Sequence, residues 1–251
     1  MRPTRIRVLK MLHNRFLTYL LIAIFAISAV FTACKPDDDD ENGNEKVQLV
    51  KTATFFYSND NDISLTCEYD NQNRITTALS RDNYKMWSYQ FIYSENDLVK
   101  VIVFDKFHGY LYLNCSKNGN EITVGTDSTQ SITIELNSDG YPIMNGYDYF
   151  QYLNGNLMSI SNPRGITTYK YDNKKSPFYY CKTPKWFSIY PEDNYDYLFG
   201  LNNNNFTEEV RKRIDSSGEY TTTRTFTYEY DNNDFPTKMY QDGKLIATFT
   251  Y

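Results

Sequence analysis

The sequence predicts an all-β protein. The expected form is an antiparallel meander of repeated β-hairpins, about fifteen short strands, built as a strongly twisted sheet or an open sandwich or half-barrel. One irregular aromatic-rich insertion interrupts it. Three observations carry this reading. From residue 47 onward apolar and polar residues alternate with period two, which puts one side-chain set on a core and the other in water. Short Asn/Asp/Gly clusters separate the alternating runs, and such residues tolerate the positive φ of tight hairpin turns. No long amphipathic helix intervenes, so successive strands pair with their sequence neighbours.

The strands follow in order. Ile63, Leu65, Cys67 and Tyr69 alternate with Ser64, Thr66 and Glu68; Trp87, Tyr89, Phe91 and Tyr93 share one face; Ile132, Ile134 and Leu136 alternate with Thr133 and Glu135. Asp70-Asn71-Gln72-Asn73, Ser94-Glu95-Asn96-Asp97, Lys117-Asn118-Gly119-Asn120, Asn137-Ser138-Asp139-Gly140, Asn154-Gly155-Asn156 and Gln241-Asp242-Gly243-Lys244 read as hairpin turns. The last strand residues before the turns recur about every twenty positions, as expected for a degenerate strand-turn-strand repeat. Residues 173 to 206 break this rhythm with Pro177, Pro184 and Pro191 and a dense aromatic set that includes Phe178, Trp186, Phe187 and Tyr190. Phe206 to Ile214 is open between a strand and a short helix, with the hairpin favoured because a strongly patterned strand, 219 to 230, follows Asp215-Ser216-Ser217-Gly218.

Tyr69-Asp70, Tyr171-Asp172 and Tyr230-Asp231 resemble the repeat unit of YD-repeat proteins, in which Tyr closes a strand and Asp opens the turn. The run Tyr228-Glu229-Tyr230-Asp231-Asn232-Asn233-Asp234-Phe235-Pro236-Thr237-Lys238-Met239 is similar to the closing motif of a Bacteroides lipoprotein family known as domain of unknown function 4595. That resemblance implies a surface lipoprotein built from repeated β-hairpins. It brings no activity and no catalytic residues.

The N-terminus divides into two segments ahead of a single domain at 47–251. Residues 1–33 read as a lipoprotein signal peptide. Arg2, Arg5, Arg7, Lys10 and Arg15 precede an uncharged apolar run from Phe16 to Ala33, and Phe31-Thr32-Ala33-Cys34 resembles a lipobox. The run is at the short end of what spans a bilayer, which leaves a permanent anchor as the alternative. Cys34 is the expected lipidation site, and several acyl chains on one residue hold a protein far more firmly than a single chain. Residues 34–46 form an acidic tether. Its Lys35, Asp37, Asp38, Asp39, Asp40 and Glu41 resemble the export signal of Bacteroides-type surface lipoproteins. The expected location is therefore the outer membrane, lipid-anchored and facing the cell exterior, with the membrane itself as the first partner.

Charge and residue counts exclude several chemistries. The whole chain carries 26 basic and 31 acidic residues; removal of the signal peptide leaves 21 against 31, a balance of −10. That argues against nucleic acid as a partner. His108 is the one histidine beyond the signal peptide, and its Phe107-His108-Gly109-Tyr110 setting reads as a turn, so a nucleophilic triad is not expected. Cys67, Cys115 and Cys181 lack the close spacing of a zinc site, no phosphate-binding glycine loop is present, and neither metal nor other cofactor is expected. One disulfide among the three cysteines is open, its pairing undetermined. The acids lie mostly in turns, and the chain is expected not to be an enzyme. Ser128, in Asp127-Ser128-Thr129, resembles a short O-glycosylation acceptor. Trp186, Phe187 and Tyr190 are a candidate ligand platform if the insertion is exposed; if it folds inward they plug the sheet. The functional expectation is a binding or adhesion module for a glycan or a protein, with a structural role in envelope assembly as the alternative.

Overall fold

The computed structural model describes residues 47–56, 62–81, 86–126, 131–189, 202–215 and 218–251. Its strands are β1 (Thr52–Phe55), β2 (Ile63–Tyr69), β3 (Ile75–Arg81), β4 (Met86–Ser94), β5 (Asp97–Asp105), β6 (Gly109–Asn118), β7 (Glu121–Gly125) and β8 (Ile132–Leu136). They continue as β9 (Pro142–Asn145), β10 (Asp148–Leu153), β11 (Asn156–Asn162), β12 (Gly165–Lys175), β13 (Asn204–Asp215), β14 (Gly218–Tyr230), β15 (Pro236–Gln241) and β16 (Lys244–Thr250). Each pairs antiparallel with the next, and β1 pairs with β16 through Thr52↔Thr250 to Phe55↔Ala247. The meander is thus a closed up-and-down barrel. This corrects the open sheet or half-barrel expected from sequence. The closing pair joins residues nearly two hundred positions apart, and no local pattern reports it; closure removes both unpaired edges that an open meander would leave.

The turns behave as their composition dictates. Asn154 and Gly155 have φ of 51° and 76°, and Asp242 and Gly243 have 49° and 82°, the positive pair of a two-residue hairpin whose twist matches its strands. At Asp70, Asn137 and Asp231 the side-chain Oδ1 accepts the backbone N–H groups two and four residues on. One YD pair departs from this. Asp172 lies within β12 and holds Asn205 Nδ2, the Asn205 backbone N–H and the Tyr230 hydroxyl. Phe206 to Ile214 lies within β13 and forms a hairpin with β14, and the helix alternative falls.

The tyrosines are structural to an extent the turn motif does not convey. The hydroxyls of Tyr69, Tyr93, Tyr171, Tyr228 and Tyr251 donate to the carbonyls of Val50, Ile75, Leu157, Phe206 and Pro236 at 2.6 to 2.9 Å. Each donor reaches back to the preceding strand or the segment leading into it, 14 to 22 residues earlier in the chain. An inward tyrosine thus fills core space with its ring and satisfies a backbone acceptor with its tip.

Alternation sets the polarity of the wall. Ile63, Leu65 and Cys67, then Leu113 and Cys115, Ile122 and Val124, Ile134 and Leu136, and Ala247 and Phe249 are buried in one interior cluster. Outward positions carry Ser64, Thr66 and Glu68; Glu121 and Thr123; Thr168 and Lys170; Thr225, Thr227 and Glu229. A barrel that spans a bilayer has the reverse arrangement, an apolar outward band around a polar lumen. Cys67, Cys115 and Cys181 are all buried free thiols, and burial pushes those of Cys67 and Cys115 up to about 12.

Sixteen strands enclose more space than strand side chains alone fill. The segment between β12 and β13 supplies the remainder: Phe178, Cys181, Thr183, Trp186 and Phe187 are buried within it. Its entry point is fixed by strand parity. With an even number of strands, both chain ends share one end of the barrel with the turns after β2, β4, β6, β8, β10 and β14 and with the β12–β13 connection. We call this the near end. The turns after β5, β9, β11, β13 and β15 lie at the opposite, far end.

Candidate functional site

The described part of the insertion, up to residue 189, is a plug. Lys182 donates its backbone N–H to the Asn73 carbonyl at 2.9 Å, and Thr183 Oγ1 accepts the Ile75 N–H at 2.8 Å. Both contacts fix the plug to the near-end turn between β2 and β3. A short 3-10 helix (Lys185–Ile189) then places the Phe187 ring edge-on to Phe91, with centroids 4.9 Å apart, and Trp186 lies against Phe187 at 6.1 Å. Trp186 is 4% exposed and Phe187 2%. Neither presents a face to solvent, so neither serves as a ligand platform, and the plugging alternative is the one observed. Burial depresses the Lys185 ammonium to about 8. Tyr190, Ser128, Cys34, Lys35, Asp37, Asp38, Asp39, Asp40 and Glu41 lie outside the described residues.

A polar feature inside the barrel had no expectation attached. Glu209 on β13 is 2% exposed. Its Oε1 lies 3.4 Å from Arg211 Nη2 and 3.5 Å from Arg224 Nη1. A charge this buried persists when paired. The signal was present in the alternation: Glu209, Arg211 and Arg224 share the inward parity of Phe226, where an apolar residue is the default. Beside them a cavity of about 100 Å³ lies between the plug residues Ser176, Pro177 and Phe178 and the wall residues Tyr169, Phe206 and Tyr228. That is room for a few water molecules.

His108 sits in a hairpin turn that Asp105 caps. Asp105 Oδ1 accepts the Phe107 N–H at 2.6 Å, its Oδ2 contacts His108 Nδ1 at 3.1 Å and accepts Trp87 Nε1–H at 3.0 Å. These bonds, the Phe107 amide foremost, hold the Asp105 carboxyl down at about 2. The imidazole, with 84% of its side chain exposed, sits on a turn cap. Among the described residues no three His, Cys, Asp or Glu side chains cluster as metal ligands would.

The candidate site lies on the outside, and sequence reasoning missed it. Outward positions of β4, β5 and β6 carry Ile92, Ile102, Phe104, Tyr110 and Tyr112, where those of β2, β7 and β14 carry Thr, Ser or charge. Register sets Phe104 opposite Tyr110, Ile102 opposite Tyr112, and Lys100 between Ile92 and Asn114. Phe104 and Tyr110 have ring centroids 4.9 Å apart, and Tyr110 and Tyr112 lie 6.3 Å apart with planes 22° from parallel. Tyr110 is 66% exposed and Tyr112 44%. Phe107, 63% exposed at the hairpin tip, extends the strip, and Gln90, Lys100 and Asn114 supply hydrogen-bonding groups beside it. The signal was in the sequence: Tyr110-Leu111-Tyr112 places two tyrosines on the parity opposite Leu113 and Cys115.

The fold class is therefore a plugged, closed sixteen-stranded β-barrel with an outward aromatic strip. No family model matches the chain, and no curated protein does. Among solved structures it is similar to a porin-like protein from Bacteroides uniformis, at 14% identity over 80% of this chain and 97% of that one, with a TM-score of 0.47. It is also similar to a porin-like protein from Bacteroides vulgatus, at 12% identity over 81% of this chain and 98% of that one, with a TM-score of 0.42.

Proposed function

We propose that this chain is a non-catalytic glycan-binding lipoprotein, anchored to the outer membrane through lipid on Cys34, with the barrel outside the bilayer and facing the exterior. The observation that carries the binding reading is the exposed strip of Phe104, Tyr110 and Tyr112. Flat aromatic faces in an open row, rimmed by amide and ammonium groups, suit sugar rings, whose C–H faces stack on π systems while their hydroxyls need donors and acceptors. Contiguous exposed aromatics of this kind mark interaction surfaces.

Two further observations support the arrangement. The charged and threonine-rich outward face suits water, so attachment rests on the N-terminal lipid. Strand parity puts residue 47 at the near end, whereas the β5–β6 hairpin tip is at the far end. A molecule held by its N-terminus thus presents Phe107 and Tyr110 away from the membrane. The similarity of residues 228–239 to domain of unknown function 4595 fits the same reading.

The alternative, a structural component of envelope assembly, is favoured by the buried insertion. It predicts a uniformly polar exterior, and the aromatic strip is what separates the two. A glycan array probed with the full chain in detergent tests the binding reading: saturable signal on a subset of glycans is expected, and a blank array with an intact fold removes it. Labelled palmitate is expected to enter the protein and to be lost in Cys34→Ala; equal incorporation in both would overturn the anchor.

A further inference from the structure

The wall around the aromatic strip restricts the kind of glycan it can take. Residues 86–121 carry Lys100, Lys106 and Lys117 against Glu95, Asp97, Asp105 and Glu121, and the whole chain has a net charge of −5. Lys117 Nζ already lies 3.3 Å from Asp97 Oδ1. No cationic excess is present to hold a polyanion. Along β6 the outward row of Tyr110, Tyr112, Asn114, Ser116 and Asn118 is uncharged throughout. Lys100, opposite Asn114, is the single charge beside its middle.

Outward positions of an antiparallel strand recur every second residue at about 3.4 Å per residue, so this row extends over roughly 27 Å, several sugar units long. Neither end is walled. Phe107 is 63% exposed at one end, and Ser116 and Asn118 are exposed at the other. The row also lies on the outside of a closed barrel, which is convex across the strands. A surface of that shape cannot enclose a chain terminus, but it can bear on a chain that continues past it in both directions. The rings add a second restriction. Tyr110 and Tyr112 stand on one strand with planes 22° from parallel, so sugar rings stacked on both are held close to parallel too. Equatorially linked β-1,4 chains are flat ribbons that keep this attitude, whereas axially linked α-1,4 chains coil and turn their rings.

We infer that the strip takes an uncharged, linear, ribbon-like glycan and reads it along the chain interior. Tyr110 and Tyr112 lie under its rings, and Ser116 and Asn118 serve the hydroxyls of the units beyond. This deepens the glycan reading and rests on it.

The test titrates cellohexaose, β-1,4-mannohexaose and β-1,4-xylohexaose calorimetrically against the full chain in detergent. At least one is expected to bind saturably, and about tenfold or more tighter than its own disaccharide. Reduction of its terminal unit to an alditol should change the affinity less than about threefold. Maltohexaose and a hexamer of β-1,4-glucuronate, the coiled and the charged counterparts, should each bind about tenfold or more weakly than the ribbon. Tyr110→Ala/Tyr112→Ala should lose the hexasaccharide. Equal affinity for the disaccharide, or for the coiled or charged hexamer, would overturn this inference while leaving glycan binding in place, and so would loss of binding on end reduction. Failure of all three ribbons overturns it as well; a blank glycan array beside that failure removes the underlying reading too.

Discussion

The aromatic residues inside the barrel and those on β4 to β6 outside it differ in what they touch more than in what they are. Inside, Phe187 meets Phe91 at 4.9 Å and the Tyr93 hydroxyl reaches the Ile75 carbonyl at 2.9 Å. Outside, Tyr110 and Tyr112 touch other rings of the same strip and leave much of their surface to water. The lesson is that abundance of aromatics is a property of this wall, whereas parity decides what each one does. Tyr228, in phase with Phe226, packs inward, whereas Tyr110 and Tyr112, out of phase with Leu113, face water.

The largest expected effect comes from breaking the interior set. Phe187→Ala removes a ring that is 2% exposed from the junction of plug and wall, and should destabilise by about 3–5 kcal/mol in chemical denaturation. A loss below about 1 kcal/mol would mean the plug carries little of the core energy.

Next is the plug's cation. Burial lowers the folded-state value of Lys185 from 10.5 to about 8, so below that pH the folded protein bears the cost of a desolvated ammonium. Between 8 and 10.5 the unfolded chain holds the proton and the folded one releases it, so this contribution raises stability with pH. Lys185→Met should therefore stabilise by about 1–2 kcal/mol at pH 7, and its advantage should fade as pH approaches 10.5. An advantage independent of pH would place the effect in packing instead.

A smaller effect tests the tyrosine tips. Tyr69→Phe keeps the ring and leaves the Val50 carbonyl without its 2.9 Å donor, with an expected cost of about 1 kcal/mol. The same change in Tyr112, where the hydroxyl is on the wet face, should cost less than about 0.5 kcal/mol. Equal costs at both sites, measured by denaturant midpoints, would erase the distinction between the two sets.

Local features were legible in the sequence because they have local causes. Alternation identified the strands around Leu65, Phe91, Ile134 and Phe226, and the positive-φ residues at Asn154-Gly155 and Asp242-Gly243 placed turns where they occur. The β1–β16 pairing was not legible, since Ala53 and Phe249 carry nothing that names the other. Tyr171-Asp172 matched a turn motif and became a mid-strand hub, because Asn205 and Tyr230 arrive from distant strands to hold that carboxylate. The site was misplaced for a related reason. The density of rings between Phe178 and Phe187 was visible, but the need to fill a closed barrel was not, and only closure reveals that those rings point inward. The strip on β5–β6 was readable by parity alone, and the count of tyrosines obscured it.

The most direct test of the central claim, that the outward strip is the binding surface, is a paired measurement on Tyr110→Ala/Tyr112→Ala. Thermal unfolding and titration with a glycan that the wild-type chain binds are recorded side by side. The account predicts a midpoint within a few degrees of wild type and binding weakened by at least about tenfold. Binding retained at wild-type strength with the fold intact would contradict it.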